Sequence, residues 1–460
     1  MKISKRSVLR AIGSRPTLRF EEQALTSFSG LVLFQALFRQ LDLVPRLRRC
    51  FRHRPATAIY PLHRIVLLLV VHLLLGFRCL RESRFYANDP MVKRVLGLVR
   101  LPDVATISRQ LSSLDEQSVE RLEALRTELV LDRLAVLPTT RITLDFDGSV
   151  LGTGRRAEGA AVGFNKKKKG QRSYYPLYCT VAQTGQVFSV LNRSGNVHDS
   201  NGAKAFIGEC ISQVRPCFPG KRAIEVRMDS AFYGDELLGE LESAGVSYTV
   251  SVPFERFAQL KHMIAEHTGD WQSIDEERDA FECRWQPASW GIKRRFVFVR
   301  QRVAVQQTAP LQLDLFEPRD YRHEYKVVVT NKRDPMADLV LCHEGRGAQE
   351  GLFAELKSEN GLAYVPTNTW LGNRAYMSAV LIAHNLTREL TMRTAEPART
   401  QTTRRSALWI FPRIGTVRRE LLQLAGRLIK PQGKLTLSMA ANEATRQRIL
   451  GALQSIEHAV

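Results

Sequence analysis

Residues 141–151, RITLDFDGSVL, set Ile142, Leu144 and Phe146 against Thr143, Asp145 and Asp147 in alternation. A period of two is strand spacing, so it sends the apolar side chains to one face and both aspartates to the other. Upstream the period is different. From Phe20 to about Ala135 apolar residues recur every three or four places, as in FSGLVLFQALFRQL and VERLEALRTELVLDRL, with Pro61 and Pro102 as punctuation. The change of period at about residue 140 therefore separates an all-α region, 1–135, from an α/β region.

The α/β region can be followed outward from that strand. LYCTVAQ and QVFSVLN, joined through Thr184-Gly185, predict a hairpin. A helix fits 201–213, a strand RAIEVRM (222–228), a helix 233–244 and a strand VSYTVSV (246–252). Residues 254–323, with Trp271, Trp285, Trp290 and the run RRFVFVRQRVAV, look β-rich and predict an insertion domain. EYKVVVTN (324–331) resumes the strands, and a helix follows. The predicted division is 136–253 and 324–395 for the two parts of one α/β domain, 254–323 for the insertion, and 396–460 for a basic helical C-terminal region. That last region holds Arg404, Arg405, Arg413, Arg418, Arg419, Arg427, Lys430 and Lys434.

With 460 residues and 44% hydrophobic residues, the chain can bury two or three ordinary cores, which excludes a disordered polymer. Lys and Arg number 67 against 46 acidic residues, a formal charge of +21, and such a field favours polyanions, nucleic acid first. Basic positions include RLRRCFRHRP (46–55), Lys166, Lys167, Lys168 and Lys169, and Arg109 in LPDVATISRQLSSL (101–114), where a cap at Thr106 or Ser108 would open a short helix compatible with DNA binding. The apolar run from Ile65 to Phe77 is short of the roughly 20 residues needed to span a bilayer and predicts a buried helix. The basic residues recur across folded segments, which argues against a membrane-surface protein. The N-terminus has no apolar core followed by a small-residue cleavage site, so a cytoplasmic, nucleoid-associated protein is expected. The seven cysteines include no CxxC pair, which predicts reduced, structural thiols.

Three carboxylates stand out by placement. Asp147 ends the first strand, Asp229 follows RAIEVRM, and Glu350 lies in CHEGRGAQEGLFAELKSENG (342–361). If the first and fourth strands are neighbours, Asp147 and Asp229 converge at one sheet edge, and a crossing helix could bring Glu350 to them. Three carboxylates form a hard oxygen site suited to Mg²⁺ or Mn²⁺. At about 100° per residue, His343, Arg346, Glu350 and Lys357 share one helical stripe within about 60° of arc. That stripe reads either as a solvated face with an Arg346–Glu350 pair or as a metal carboxylate flanked by cations that grip phosphates.

The spacing of Arg346, Glu350 and Lys357 resembles the Tyr-Arg-Glu-Lys signature of Asp-Asp-Glu transposases of bacterial insertion sequences, with His343 at the tyrosine position. RMDSAF resembles their second-aspartate motif, and LDFDGSVL, followed by GFNKKKKGQRSYYPLYCTVAQTGQVFSVLNRSGNVHDS, resembles the first-aspartate segment. Asp145 and Asp147 share a face; the family pattern of an aspartate followed by two small residues favours Asp147. The resemblance covers most of residues 25–440. It implies an RNase H-like, retroviral-integrase-like domain interrupted by a β-rich insertion between helical termini. It also implies Asp147, Asp229 and Glu350 as catalytic metal ligands for two ions, and His343, Arg346 and Lys357 as phosphate contacts. The implied activity is cleavage at terminal inverted repeats and joining of 3′-hydroxyls to target DNA, in a homodimer on paired double-stranded ends. In similar enzymes the second strand is often cut through a DNA hairpin and an insertion tryptophan stacks on a flipped base, which makes Trp285 and Trp290 candidates. The alternatives are a domesticated, non-catalytic DNA-binding protein and an RNase H-fold nuclease without strand transfer.

Overall fold

The computed structural model describes residues 15, 17–21, 23–55, 59–163, 165, 168–198, 201–217, 223–304, 321–399 and 406–458. The run LHRIVLLLVVHLL forms α1 (Leu62–Leu74), buried continuously from Ile65 to Leu74. A helix without a polar face has to be covered all round. It shares one core with the helices Leu31–Gln40, Leu43–Cys50 and Val104–Ser112 and with α2 (Glu116–Ala135). Among the described residues no helix is long and apolar enough to cross a membrane. The helix Val104–Ser112 starts earlier than a cap at Thr106 or Ser108 would place it, because Asp103 is the cap and accepts from the Thr106 amide at 2.6 Å.

At Arg141 alternation takes over. The strands β1 (Arg141–Gly148), β2 (Leu177–Val181), β3 (Gln186–Leu191), β4 (Ala223–Met228), β5 (Ser247–Ser251), β6 (Gln272–Ser273), β7 (Arg278–Trp285), β8 (Arg294–Ala304) and β9 (Tyr321–Thr330) form one nine-stranded mixed sheet. Its order is β6-β7-β8-β9-β5-β4-β1-β2-β3, with β1, β4 and β5 parallel and the other pairings antiparallel. One face of the β1–β4 pair carries Ile142, Leu144, Phe146, Ile224, Val226 and Met228, which join a core with α3 (Ala203–Val214) and α4 (Asp235–Ser243). The rings of Phe146 and Phe206 meet edge-on at 6.0 Å. The other face carries Thr143, Asp145, Asp147, Glu225, Arg227 and Asp229, so the period of two writes a polar stripe across the middle of the sheet.

The strands expected in a separate insertion continue this sheet instead: Val328–Thr330 pairs with Thr249–Ser251, and β8, β7 and β6 follow outward. The segment also contains the helix Ala258–Ala265. The reason is that these strands are apolar on both faces. Phe281, Phe296, Phe298, Val327 and Val329 join the α3–α4 core, whereas Ala280, Val297, Val299 and Val328 pack on the opposite side with Met336, Leu339 and Val340 of α5 (Met336–Glu344). Strands covered on both faces read as near-continuous apolar runs.

After α5 a 3₁₀ turn, Gly345–Gly347, leads into α6 (Ala348–Glu359), and α7 (Trp370–Thr394) runs through the helical core against α1 and α2. The C-terminal region is not purely helical. Gly426–Ile429 and Thr436–Met439 form a hairpin that adds the short strand Leu25–Thr26, and α8 (Glu443–His458) follows. The turn Pro431-Gln432-Gly433, with Gln432 and Gly433 both at positive φ, reverses the chain there. Arg418 ties this region to the N-terminal helices by donating to the Leu73 and Leu74 carbonyls at the end of α1, at 2.8 and 2.9 Å. The seven cysteines are free thiols.

Candidate active site

β1 and β4 run parallel with Phe146 opposite Met228, so Asp147 and Asp229 are the next residues on neighbouring strands. Adjacent strands lie about 5 Å apart, and residues at equal register share a face. Asp229 also caps a short 3₁₀ turn, accepting from the Ala231 amide at 3.0 Å. Two residues before each aspartate the same face carries a second pair. Asp145 and Arg227 form a buried, bidentate ion pair, Nε to Oδ1 at 2.6 Å and Nη2 to Oδ2 at 2.7 Å. Burial pushes the Asp145 carboxyl up and Arg227 opposes that shift; conversely the Asp145 carboxylate outweighs burial at Arg227 and holds its guanidinium charged. With Asp145 committed to Arg227, Asp147 is the β1 carboxylate at the strand end.

α6 crosses this face. Gln349 donates to the Asp145 carbonyl at 3.1 Å, and Arg346 donates to Asp147 at 3.5 Å. One turn further on, Phe353 packs on Tyr178 at 4.9 Å, and Tyr178 is the cross-strand neighbour of Asp147. Glu350 lies on the helix between these two attachments and is exposed. The chain on either side of Glu350 is thus attached near the Asp147 end of the sheet. In donor type the aspartates and Glu350 suit a hard divalent cation. They are not gathered: among the described residues no three His, Cys, Asp or Glu side chains stand close enough to hold one ion.

The four-residue stripe predicted for a single continuous helix divides. A 3₁₀ turn advances about 120° per residue against 100° in an α-helix, so three such residues add about 60°. Arg346 remains beside Asp147, while His343 turns into the protein. The His343 ring lies between Thr249 and Ser251 of β5, with Nδ1 and Nε2 each 2.9 Å from a hydroxyl. Burial, reinforced by Arg346 and Arg227, pushes its pKa down to about 3. His343 is therefore neutral and internal, not a phosphate contact. Lys357 sits half-buried in the last turn of α6.

Trp290 is buried against Tyr233 at 4.8 Å with the Arg294 guanidinium over its ring at 4.9 Å, so it is a core residue rather than a base platform. Trp285 is half-buried and packs edge-on to Phe296 at 5.0 Å. Lys168 and Lys169 are exposed; Lys166 and Lys167 lie outside the described residues, as do Arg404 and Arg405. Arg109 is exposed and folds back on its own helix, donating to Thr106 Oγ1 at 3.2 Å. The next turn of that helix, Gln110 and Ser113, lines a cleft of about 660 Å³ shared with Arg48, Arg52, Arg54 and His63. Arg54 is held by Asp115 and the Ser113 carbonyl, whereas Arg48 and Arg52 are exposed on the rim. Burial, and after it Arg64 and Arg48, pushes His63 down to about 4.

Sequence reasoning missed Arg227, Gly345 and Gln349. A signal was present: Arg227 precedes Asp229 by the same two residues that separate Asp145 from Asp147.

No curated protein matches the chain. Among solved structures, a piggyBac transposase synaptic complex with hairpin DNA is similar at 12% identity and a TM-score of 0.39, over 82% of this chain and 78% of that chain, too remote a likeness to carry an argument. The profile of the family described as "Transposase DDE domain group 1" matches residues 11–460, nearly the whole sequence, and the chain belongs to that family.

Proposed function

We propose that this transposase-family chain acts on the terminal inverted repeats of an insertion sequence, with Asp147, Asp229 and Glu350 as its catalytic carboxylates. It would hydrolyse a phosphodiester at each end and join the freed 3′-hydroxyl to target DNA. The observation that carries the reading is the neighbouring placement of Asp147 and Asp229 beneath the helix that bears Glu350. The strand order β3-β2-β1-β4-β5, with β1, β4 and β5 parallel, is the one expected of an RNase H-like domain and supports the same reading.

Bound at these carboxylates, two Mg²⁺ or Mn²⁺ ions would supply activation of a water or 3′-hydroxyl and charge neutralisation at the leaving oxygen. The chain's own residues do the rest. Asp147 and Asp229 would present oxygens from the strand ends, and Glu350 would complete the set from α6. Arg346, now on Asp147, is placed to turn to the scissile phosphate once cationic charge occupies the aspartates. Lys357, Lys168, Lys169 and the Arg48–Arg52 cleft neutralise phosphates of paired ends in a homodimer. Hairpin formation is the proposed second-strand route, and a nucleoid-associated, cytoplasmic location fits this substrate.

The test is Mg²⁺-dependent cutting of an end-bearing duplex by wild type and by Asp147→Asn, Asp229→Asn and Glu350→Gln. Each substitution is expected to cost at least ~4 kcal/mol of transition-state stabilisation, on the order of a thousandfold. Near-wild-type cutting by any one of them removes that residue from the site. A nuclease without strand transfer would cut these ends but leave pre-cleaved 3′-hydroxyl ends unjoined to a target plasmid.

A further inference from the structure

The Asp145–Arg227 pair does more than neutralise itself. Arg227 spends its remaining nitrogen, Nη1, on the Cys342 carbonyl at 2.6 Å, in the last turn of α5 before the 3₁₀ turn. On the far side of the 3₁₀ turn, Gln349 in the first turn of α6 donates to the carbonyl of Asp145. The pair and its backbone thus grip the chain at 342 and again at 349, bracketing the turn that carries Arg346 and launches Glu350. The approach between the grips is close, so a side chain there would push on the guanidinium. A Cβ on Gly345 would stand 2.6 Å from Arg227 Nη1.

We propose that Arg227 and Asp145 are positioning residues that fix the start of the α6 helix, which carries Glu350, against the strands that end in Asp147 and Asp229. The proposal rests on the catalytic reading above. A buried ion pair is weak evidence for stability, because desolvation offsets most of the Coulombic gain. Its value here is directional: a planar guanidinium fixes two carboxylate oxygens and one helix-end carbonyl at once, which a lysine ammonium cannot reproduce in the same plane. Both residues lie one side-chain repeat behind the proposed ligands on the same two strands, so a shift of the pair shifts the ligands' own strands against the helix.

The experiment is Mn²⁺ binding to the full chain by electron paramagnetic resonance, with end cleavage and end-DNA affinity measured in parallel. The variants are Arg227→Lys and Gly345→Ala, each checked for folding by circular dichroism at the assay temperature. Gly345→Ala keeps both charges and probes the grip from the helix side, so the question stays open to test where Arg227→Lys does not fold. Per folded molecule, Mn²⁺ affinity and the cleavage rate constant are expected to fall by about ten- to a hundredfold, the range for supports of metal ligands, with end-DNA affinity unchanged. Wild-type Mn²⁺ binding and cutting by a folded variant of either kind would overturn the positioning role. If instead Asp147→Asn and Asp229→Asn leave Mn²⁺ binding untouched, the catalytic reading itself fails, which is a distinct result.

Discussion

Arg346 donates to Asp147 across 3.5 Å, joining the turn before α6 to the end of β1. A guanidinium on a carboxylate proposed as a metal ligand is a place-holder, and the same group can serve a phosphate once the carboxylate has a stronger cation. Arg346→Ala should therefore leave Mn²⁺ binding intact while single-turnover cleavage drops by about a hundredfold, the scale for losing one donor to developing charge. Unchanged cleavage would return Arg346 to an ordinary ion pair.

His343 makes a pH prediction. Its folded pKa, about 3, lies below the ordinary value of 6.5, so the fold favours neutral imidazole. Between these values the unfolded chain binds a proton that the native one does not, and stability falls as pH drops through that window, by up to ~1.4 kcal/mol per unit. His343→Gln removes this contribution. Denaturation of both proteins should show wild type more stable at pH 7.5, with the gap closing towards pH 4. A gap independent of pH would mean that His343 titrates alike in both states.

The alternation in RITLDFDG and RAIEVRM was enough to place Asp147 and Asp229 on one face, because a period of two is a local property. The parallel pairing of those strands is nonlocal and entered only as a condition. The division of the HEGRG stripe was less accessible. Gly345 and Gly347 permit an α-helix and a 3₁₀ turn alike, and the side chain beside that turn, Arg227, which holds the Cys342 carbonyl and leaves no room for a Cβ on Gly345, lies more than a hundred residues upstream. The strands of 254–323 looked like a separate unit because their two-sided apolar character has no period, and only the packing of α5 on one face and the α3–α4 core on the other explains it. The C-terminal hairpin had a legible signal, Pro-Gln-Gly between two short apolar runs, masked by the basic residues around it.

Trp290 should behave as a core residue. Trp290→Ala is expected to cost about 3–5 kcal/mol in urea denaturation, the range for deleting a buried aromatic, while end-DNA affinity per folded molecule is retained. Trp285→Ala, at a half-buried ring, should cost less. A Trp290→Ala protein of wild-type stability but weakened DNA binding would reinstate Trp290 as a base platform.

The Arg48–Arg52 cleft makes an electrostatic prediction that separates backbone contacts from base readout. Arg48 and Arg52 are exposed on the rim of a basic cleft, so each is placed to neutralise a phosphate. Phosphate contacts release counterions and set the salt dependence of affinity, whereas base contacts do not. Arg48→Ala and Arg52→Ala should each flatten the slope of log K against log salt by about 0.9 and weaken end and non-end duplexes alike. Loss confined to end-bearing DNA with an unchanged slope would instead make these arginines readers of bases, and the neutralising role would have to pass to Lys168, Lys169 and Lys357.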